Sequence, residues 1–139
     1  MIRFAGSVFR SGRHWAVEVS VLDVVTQGRS KSDAYEMIAD AIVELVDRPG
    51  FRVDVHPGRG DYFEVSSNDE VTLVSFCLRR QRMRSGLSLA EVAMKLGAKS
   101  RNSYARYEQG RSVPTIAKLS QLLSVVSPDR DFVLSESQV

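Results

Sequence analysis

The hydrophobic pattern of this chain changes its period near residue 70, and that change limits the folds open to it. Before residue 70, apolar residues mostly alternate with polar ones in short runs, as in half-buried strands. After it, apolar residues recur every three to four positions, as along helices. A polar run at residues 66–70 separates the two patterns. We therefore predict an α+β chain with one module over residues 1–65, a linker over 66–70 and a second module over 71–139.

The N-terminal half has the pattern of a small β-β-β-α-β module. The alternation is clearest from His14 to Val21, where every second residue from Trp15 onward is apolar. One amphipathic helix follows, with Ser30 or Ser32 as its N-cap and Arg48-Pro49-Gly50 as its stop. The predicted strands are Ile2–Arg10, His14–Val21, Val24–Gln27 and Phe51–Val55, and residues 61–65 offer a further short one.

The C-terminal half predicts four helices, over about 71–84, 89–96, 101–109 and 116–126. Ser88 and Glu91 have the spacing of a capping box, and Ser100 and Thr115 precede the next two helices as N-caps. The second and third helices are short and are joined by a tight turn at Gly97. Two short helices joined in this way and packed between longer ones form the helix-turn-helix pattern.

The net charge of +2 conceals an asymmetry between the two halves. Residues 1–70 carry eight basic and twelve acidic side chains, a net charge of −4, whereas residues 71–139 carry eleven and five, a net charge of +6. A basic helical module joined to an acidic one indicates a nucleic-acid surface in the basic half. Two ordinary domains that differ by chance would show the same asymmetry.

The helix predicted over residues 101–109 has the composition of a recognition helix. A helix that enters the major groove needs donors and acceptors that reach base edges. Ser88 and Arg111 are placed to meet phosphates, whereas Tyr104 and Tyr107 are predicted to hold the helix to the domain. The predicted DNA-binding residues are Ser88, Lys99, Ser100, Arg101, Asn102, Ser103, Arg106 and Arg111.

The helix predicted over residues 71–84 adds a run of arginines with two possible roles. They form either a cationic rim that contacts phosphate or simply the solvated face of a long helix. The residues concerned are Arg79, Arg80, Arg82 and Arg84.

We predict no catalytic site, no metal and no cofactor. The acidic face of the N-terminal helix resembles a metal platform, but a solvated helix face has the same pattern. His14 and His56 lie far apart and outside any ligand-spaced motif. Cys77 is the one cysteine, which excludes an intrachain disulfide, and it lies on an apolar helix face as a packing residue. A magnesium-dependent nuclease remains a distant alternative.

The localisation we expect is cytoplasmic. No run approaches the roughly 18 apolar residues of a membrane helix, so no membrane partner is expected. Residues 1–10 lack the cationic and apolar regions of a signal peptide.

The amino-acid sequence of the C-terminal half resembles that of the Xre (Cro/C1-type) DNA-binding family. The residues that carry this resemblance are Gly86-Leu87-Ser88-Leu89-Ala90-Glu91-Val92-Ala93, Leu96-Gly97, Ser100-Arg101-Asn102-Ser103-Tyr104-Ala105-Arg106-Tyr107-Glu108-Gln109-Gly110 and Pro114. The run over residues 99–110 resembles more specifically the HicB antitoxins that end in such a domain. Their N-terminal β-β-β-α-β module, a partial ribonuclease H-like fold, is similar to the pattern of residues 1–65.

Two positions depart from the Xre pattern. Leu89 stands where Xre domains often carry a glutamine that touches phosphate. The turn before the third helix, through Ala98, Lys99 and Ser100, is one residue longer than the common form. Both departures affect individual contacts and leave the motif itself intact.

The resemblance implies an antitoxin and transcriptional regulator. Its basic domain would bind operator double-stranded DNA as a homodimer or higher homo-oligomer. Its acidic module would bind a HicA-type toxin, a small ribonuclease that cleaves messenger RNA, and would neutralise it without chemistry of its own. The main alternative is an orphan regulator whose N-terminal module serves oligomerisation or ligand sensing.

Overall fold

The alternating segments of the N-terminal half pair into one antiparallel sheet in the computed structural model, which describes residues 1–139. The strands lie in the spatial order β3-β2-β1-β5-β4. Helix α1 (Lys31–Val46) follows β3 and precedes β4, so it connects the two opposite edges of the sheet. The strands are β1 (Phe4–Ser11), β2 (His14–Val19), β3 (Val24–Gly28), β4 (Val53–Pro57) and β5 (Tyr62–Ser67). With the helices described below, the α+β class is confirmed.

The fifth strand is where the predicted β-β-β-α-β order is incomplete. β5 lies inside the sheet, paired with β1 on one side and with β4 on the other. Residues 63–67 of this strand are all buried. Three of them are polar, Glu64, Ser66 and Ser67, so the hydrophobic alternation that marks a half-buried strand is weak here.

The predicted linker over residues 66–70 is shorter in the structure. Ser66 and Ser67 belong to β5, and the first helix of the C-terminal half begins at Glu70. Ser66 Oγ lies 2.7 Å from His56 Nε2, and Ser67 Oγ donates to the carbonyl of Asp69 at 2.9 Å. Runs of serine favour a loop prediction, and the His56 partner of Ser66 is supplied only by the pairing of β4 with β5.

One face of the sheet packs against α1. The helix buries Ala34, Ile38 and Ile42, and the sheet contributes side chains such as Val8 and Val17, which pair directly across β1 and β2. The ring of Tyr35 meets the ring of Phe63 edge-on, with centroids 5.4 Å apart. Ser30 is the N-cap that the structure selects from the two predicted candidates, and its hydroxyl accepts from the Asp33 amide.

Four helices follow: α2 (Glu70–Arg84), α3 (Leu89–Lys95), α4 (Arg101–Glu108) and α5 (Ile116–Val126). Each begins and ends within one residue of the predicted bounds, and the predicted caps Ser88, Ser100 and Thr115 are confirmed. The four helices enclose one apolar core of Leu78, Val92, Tyr104, Leu122 and Val126. None of the helices in the molecule combines the length and the apolar character that a membrane crossing requires.

The chain divides into two units that differ from the predicted modules at one end. The first unit contains Met1–Glu70 together with Glu136–Val139, and the second contains Val71–Ser135. Residues 131–139, at the C-terminus, have no regular secondary structure. Assigning Glu136 to the first unit gives that unit a net charge of −5 and the second a net charge of +7.

We expect Gly28→Ala to destabilise the first unit, because α1 approaches the end of β3 too closely for a side chain. An added Cβ would lie 2.7 Å from the Cα atom of Ala34 and 2.8 Å from the carbonyl carbon of Asp33. Overpacking of this kind costs about 1–3 kcal/mol. Urea unfolding followed by the fluorescence of Trp15, the one tryptophan of the chain, measures the change. The exposed neighbour Gln27, changed to Ala, is the control, and equal midpoints for the two variants would contradict the close packing.

Candidate nucleic-acid interface

The turn between α3 and α4 is fixed by the way in which α3 ends. Gly97 has φ of +70°, a conformation that favours glycine because it has no Cβ. The amide of Ala98 donates to the carbonyl of Ala93 at 2.9 Å, and the amide of Gly97 donates to the carbonyl of Met94 at 3.0 Å. These two bonds form a Schellman motif, which satisfies the last carbonyls of α3 and reverses the chain. Residues 96–100 then lead into α4.

Helix α4 is attached to the second unit by one of its faces. The side chain of Tyr104 is 1% exposed and lies in the core, Ala105 is buried, and Tyr107 packs against the core from its edge. The scaffold role predicted for the two tyrosines is therefore confirmed. Because buried positions of a helix recur every three to four residues, the remaining positions of α4 face away from the core.

The structure places most of the predicted DNA-binding residues on that outward face or at its ends. Asn102 and Arg106 are one turn apart, and Ser103 lies three residues before Arg106, so the three share a face by helical spacing. Arg111 follows the end of α4, where its amide donates to the carbonyl of Arg106 at 2.9 Å. All eight members of the set are exposed: Ser88, Lys99, Ser100, Arg101, Asn102, Ser103, Arg106 and Arg111. All carry groups that reach base edges or phosphates.

Two predicted DNA-binding serines already serve as helix caps. Ser88 Oγ accepts from the Glu91 amide at 3.0 Å, and the Glu91 carboxylate accepts from the Ser88 amide at 3.2 Å. Ser100 Oγ accepts from the Asn102 amide at 3.1 Å. A capping hydroxyl retains its own proton, so each serine still has one donor for a phosphate oxygen. At Ser88 the Glu91 carboxylate occupies the same helix end and weakens its attraction for an anion.

Arg82 differs from the sequence prediction, which placed it in an exposed cationic rim. Its guanidinium forms two hydrogen bonds with the Glu108 carboxylate, at 2.7 and 3.0 Å, and a third with the carbonyl of Leu87 at 2.9 Å. The Arg82 and Glu108 side chains are 15% and 6% exposed. The hydrogen bonds to Glu108 raise the pKa of Arg82, so the guanidinium stays charged.

This ion pair is a feature that the sequence reasoning missed. It joins the end of α2 to the last residue of α4, and so sets the angle at which α4 is presented. The sequence did contain a signal, because Glu108 is the one acidic residue of a helix expected to face a polyanion. An acidic residue in such a helix needs a structural partner, and the four candidate arginines of α2 could not be told apart by pattern.

The other three arginines of α2 are only partly exposed. Arg79 and Arg80 lie over the ring of Phe76, with their guanidinium carbons 6.0 and 5.9 Å from its centroid, within the range of cation–π attraction. Arg84 donates to the side-chain carbonyl of Gln81 at 2.9 Å. The four arginines therefore do not form one uniform exposed rim.

The acidic side chains within the helices of the second unit already have partners in the protein. Glu91 belongs to a capping box and Glu108 is paired with Arg82. The remaining acidic residues of this unit, Asp129 and Asp131, follow the last helix. Neighbouring carboxylates therefore do little to reduce the positive potential of the basic groups in the turn and in α4, as a polyanion-binding surface requires.

Groups that could support other chemistry lie apart from one another. Burial raises the pKa of the Cys77 thiol to about 12, so it stays protonated at neutral pH. No group of three or more His, Cys, Asp or Glu side chains has the arrangement of a metal site.

Replacing the Glu108 carboxylate by an amide should destabilise the second unit. Glu108→Gln leaves the partly buried Arg82 guanidinium without a counter-charge, and the loss of a charge-assisted hydrogen bond of this kind costs about 1.5–3 kcal/mol. Denaturant unfolding followed by far-UV circular dichroism measures the loss. Glu91→Gln is the matched control, because glutamine still fits the capping box. Equal losses for the two variants would contradict the role of the pair.

Comparison with known proteins adds one match. No curated protein matches the sequence. Residues 74–131, which include most of α2, all of α3–α5 and the segment after them, match the family model described as a helix-turn-helix domain. This match supports a helix-turn-helix DNA-binding domain in the second unit.

Proposed function

We propose that this chain is the antitoxin of a type II toxin–antitoxin pair. In this proposal the second unit represses the chain's own operon, and the first unit neutralises a HicA-type toxin that cleaves messenger RNA. The DNA-binding part has the firmer basis, since the helix-turn-helix domain indicates a DNA-binding regulator. The observation that carries it is the single outward face of α4, basic and polar, on a helix whose opposite face is buried.

The geometry of the second unit supports the operator-binding part of the proposal. Helix α4 would lie in the major groove, where Arg101, Asn102 and Arg106 reach base edges or phosphates. A homodimer would place two such helices about 34 Å apart, so that both contact the same side of a palindromic operator. Lys99 and Arg111, at the two ends of α4, would then contact the flanking phosphates.

Arginines of the outward face of α4 should control DNA affinity. Changing both Arg101 and Arg106 to Ala should lower the affinity for the DNA upstream of the gene at least about tenfold, because one bidentate base contact is worth about 1–3 kcal/mol. A gel-shift titration at fixed salt measures this. The control changes both Lys118 and Arg130 to Ala, which removes the same charge elsewhere in the second unit. Equal losses for both variants would contradict the assigned recognition helix.

The acidic surface of the first unit supports the toxin-binding part of the proposal. Helix α1 exposes Glu36, Asp40 and Glu44 at intervals of one turn, with Met37 and Leu45 exposed beside them. A protein that binds RNA presents a basic surface, and complementary charge orients and accelerates association with it. The strand and helix order also resembles the partial ribonuclease H-like module of the HicB antitoxins, here with β5 added.

Neutralisation in this proposal requires no catalysis by the chain, and we propose that it is not an enzyme. The first unit would cover the RNA-binding surface and the catalytic residue of the toxin. The remaining proposals are cytoplasmic localisation and a homodimeric or larger assembly, as expected for an operator-bound repressor.

The charge of α1 gives a test of toxin binding. If a small basic protein is encoded beside this gene, Asp40→Lys should weaken its binding at least about tenfold, because like charges then face each other. Co-purification and rescue of growth in cells that express the neighbouring protein measure the effect. Asp54→Lys is the matched control, since Asp54 is also exposed and lies on β4, on the sheet face away from α1. DNA affinity should be unchanged in both variants.

The second candidate function is an orphan regulator without a toxin. It is favoured by the extent of the family match, which covers residues 74–131 and so supports the DNA-binding half alone. Absence of a toxin-sized reading frame beside the gene, together with retained operator binding, would favour this alternative. A chain that neither binds operator DNA nor neutralises a neighbouring toxin would contradict both candidates.

A further inference from the structure

The sheet face opposite α1 carries a buried carboxylate that no step of the proposed function uses. Phe63 and Val65 of β5 are core residues, and Phe63 contacts α1 through Tyr35. Because successive side chains of a strand point to opposite faces, Glu64 points away from α1. The residue is nevertheless only 3% exposed. A buried charge is costly unless hydrogen bonds satisfy it, so the donors around Glu64 reveal what the site requires.

Four hydrogen bonds surround the Glu64 carboxylate, two on each oxygen. Oε1 accepts from Arg3 Nη1 at 3.2 Å and from Ser137 Oγ at 2.6 Å. Oε2 accepts from the Tyr62 hydroxyl at 2.6 Å and from the Gln138 amide at 3.0 Å. An ionised carboxylate has about four acceptor positions, so this one is saturated. Half of its donors come from the body of the first unit, and half come from the C-terminal segment.

The C-terminal segment is held at this point although it is otherwise exposed. Residues 136–139 are all exposed and have no regular secondary structure. The Ser137 hydroxyl accepts from the Val139 amide at 3.2 Å while it donates to Glu64. This local turn aims the hydroxyl and the following amide at the same carboxylate. A segment with so little buried surface depends on these bonds for its position.

We propose that Glu64 anchors a peptide-binding site on the open face of the sheet, and that the chain's own residues 136–139 occupy it as a displaceable ligand. The site takes an extended peptide that presents a hydroxyl side chain followed at once by a free backbone amide. Arg3 and Tyr62 fix the carboxylate, so the pocket is already formed when the peptide arrives. The covalent link favours the chain's own segment over a free peptide, because binding of a tethered ligand is intramolecular.

The amide of the ligand can come from any residue except proline, so the hydroxyl carries the selectivity. Ser137→Ala removes that donor and should release the segment, whereas Ser137→Thr keeps the hydroxyl and should retain it. Ser135→Ala is the matched control. Ser135 is an exposed serine that directly precedes the segment and belongs to the second unit. All three changes lie in exposed residues, and the fluorescence of Trp15 checks that the first unit remains folded.

The test measures release of the segment and vacancy of the site in the full chain. Amide hydrogen exchange at Gln138 should accelerate at least about tenfold in Ser137→Ala and stay unchanged in Ser137→Thr and Ser135→Ala. A fluorescent peptide with the sequence of residues 134–139 should bind the Ser137→Ala chain at least about tenfold more tightly than the wild-type chain. The same peptide with alanine in place of serine at position 137 should bind neither chain.

Three results would overturn the proposal. Equal exchange at Gln138 in the alanine and threonine variants would show that the hydroxyl does not hold the segment. Equal peptide binding by the wild-type and Ser137→Ala chains would show that the segment does not occupy the site. A dimer in sedimentation that dissociates on Ser137→Ala would assign the ligand to a second copy.

As a second variant, Glu64→Gln should also accelerate exchange at Gln138, since it removes the negative charge that both donors face.

Discussion

The orientation of α4 depends on the buried ion pair between Arg82 and Glu108. Tyr104, Ala105 and Tyr107 attach the middle of the helix to the core. Two parallel hydrogen bonds from a planar guanidinium fix the end of the helix as well. The third bond, to the carbonyl of Leu87, ties the same arginine to the loop that leads into α3. One side chain thus contacts both α4 and the loop before α3, while the outward face of α4 remains exposed.

A second saturated carboxylate has a comparable part in the first unit. Burial raises the pKa of Glu64, but the hydrogen bonds from Ser137, Tyr62, Gln138 and Arg3 outweigh it and lower the pKa to about 2. The group is therefore ionised at neutral pH and needs all of its donors. Both units thus use a buried acidic residue as a fixed point, one with a bidentate arginine and the other with four separate donors. In each case the acidic residue joins segments that are distant in sequence.

Short-range sequence signals were sufficient to predict most of the helices and the residues of the candidate site. A capping box at Ser88, a glycine with positive φ at Gly97 and the caps at Ser100 and Thr115 are short-range signals, and they placed α3–α5 within one residue. The outward residues of α4 followed from the spacing of Tyr104 and Tyr107. The sheet was harder to predict, because β5 carries three buried polar residues, and the partners of Glu64 and Ser66 come from β4, from the N-terminus and from the C-terminus. No local pattern encodes such partners.

The sequence by itself determined the two-part organisation, the α+β class, the helix-turn-helix motif and the exposed side chains of α4. These follow from periodicity, capping and charge, which act over a few residues along the chain. Only the tertiary structure decided that Arg82, among four similar arginines, turns inward, and that residues 136–139 belong with the first unit. Both depend on a buried carboxylate that selects its donors by geometry. That geometry exists only after distant segments have packed together.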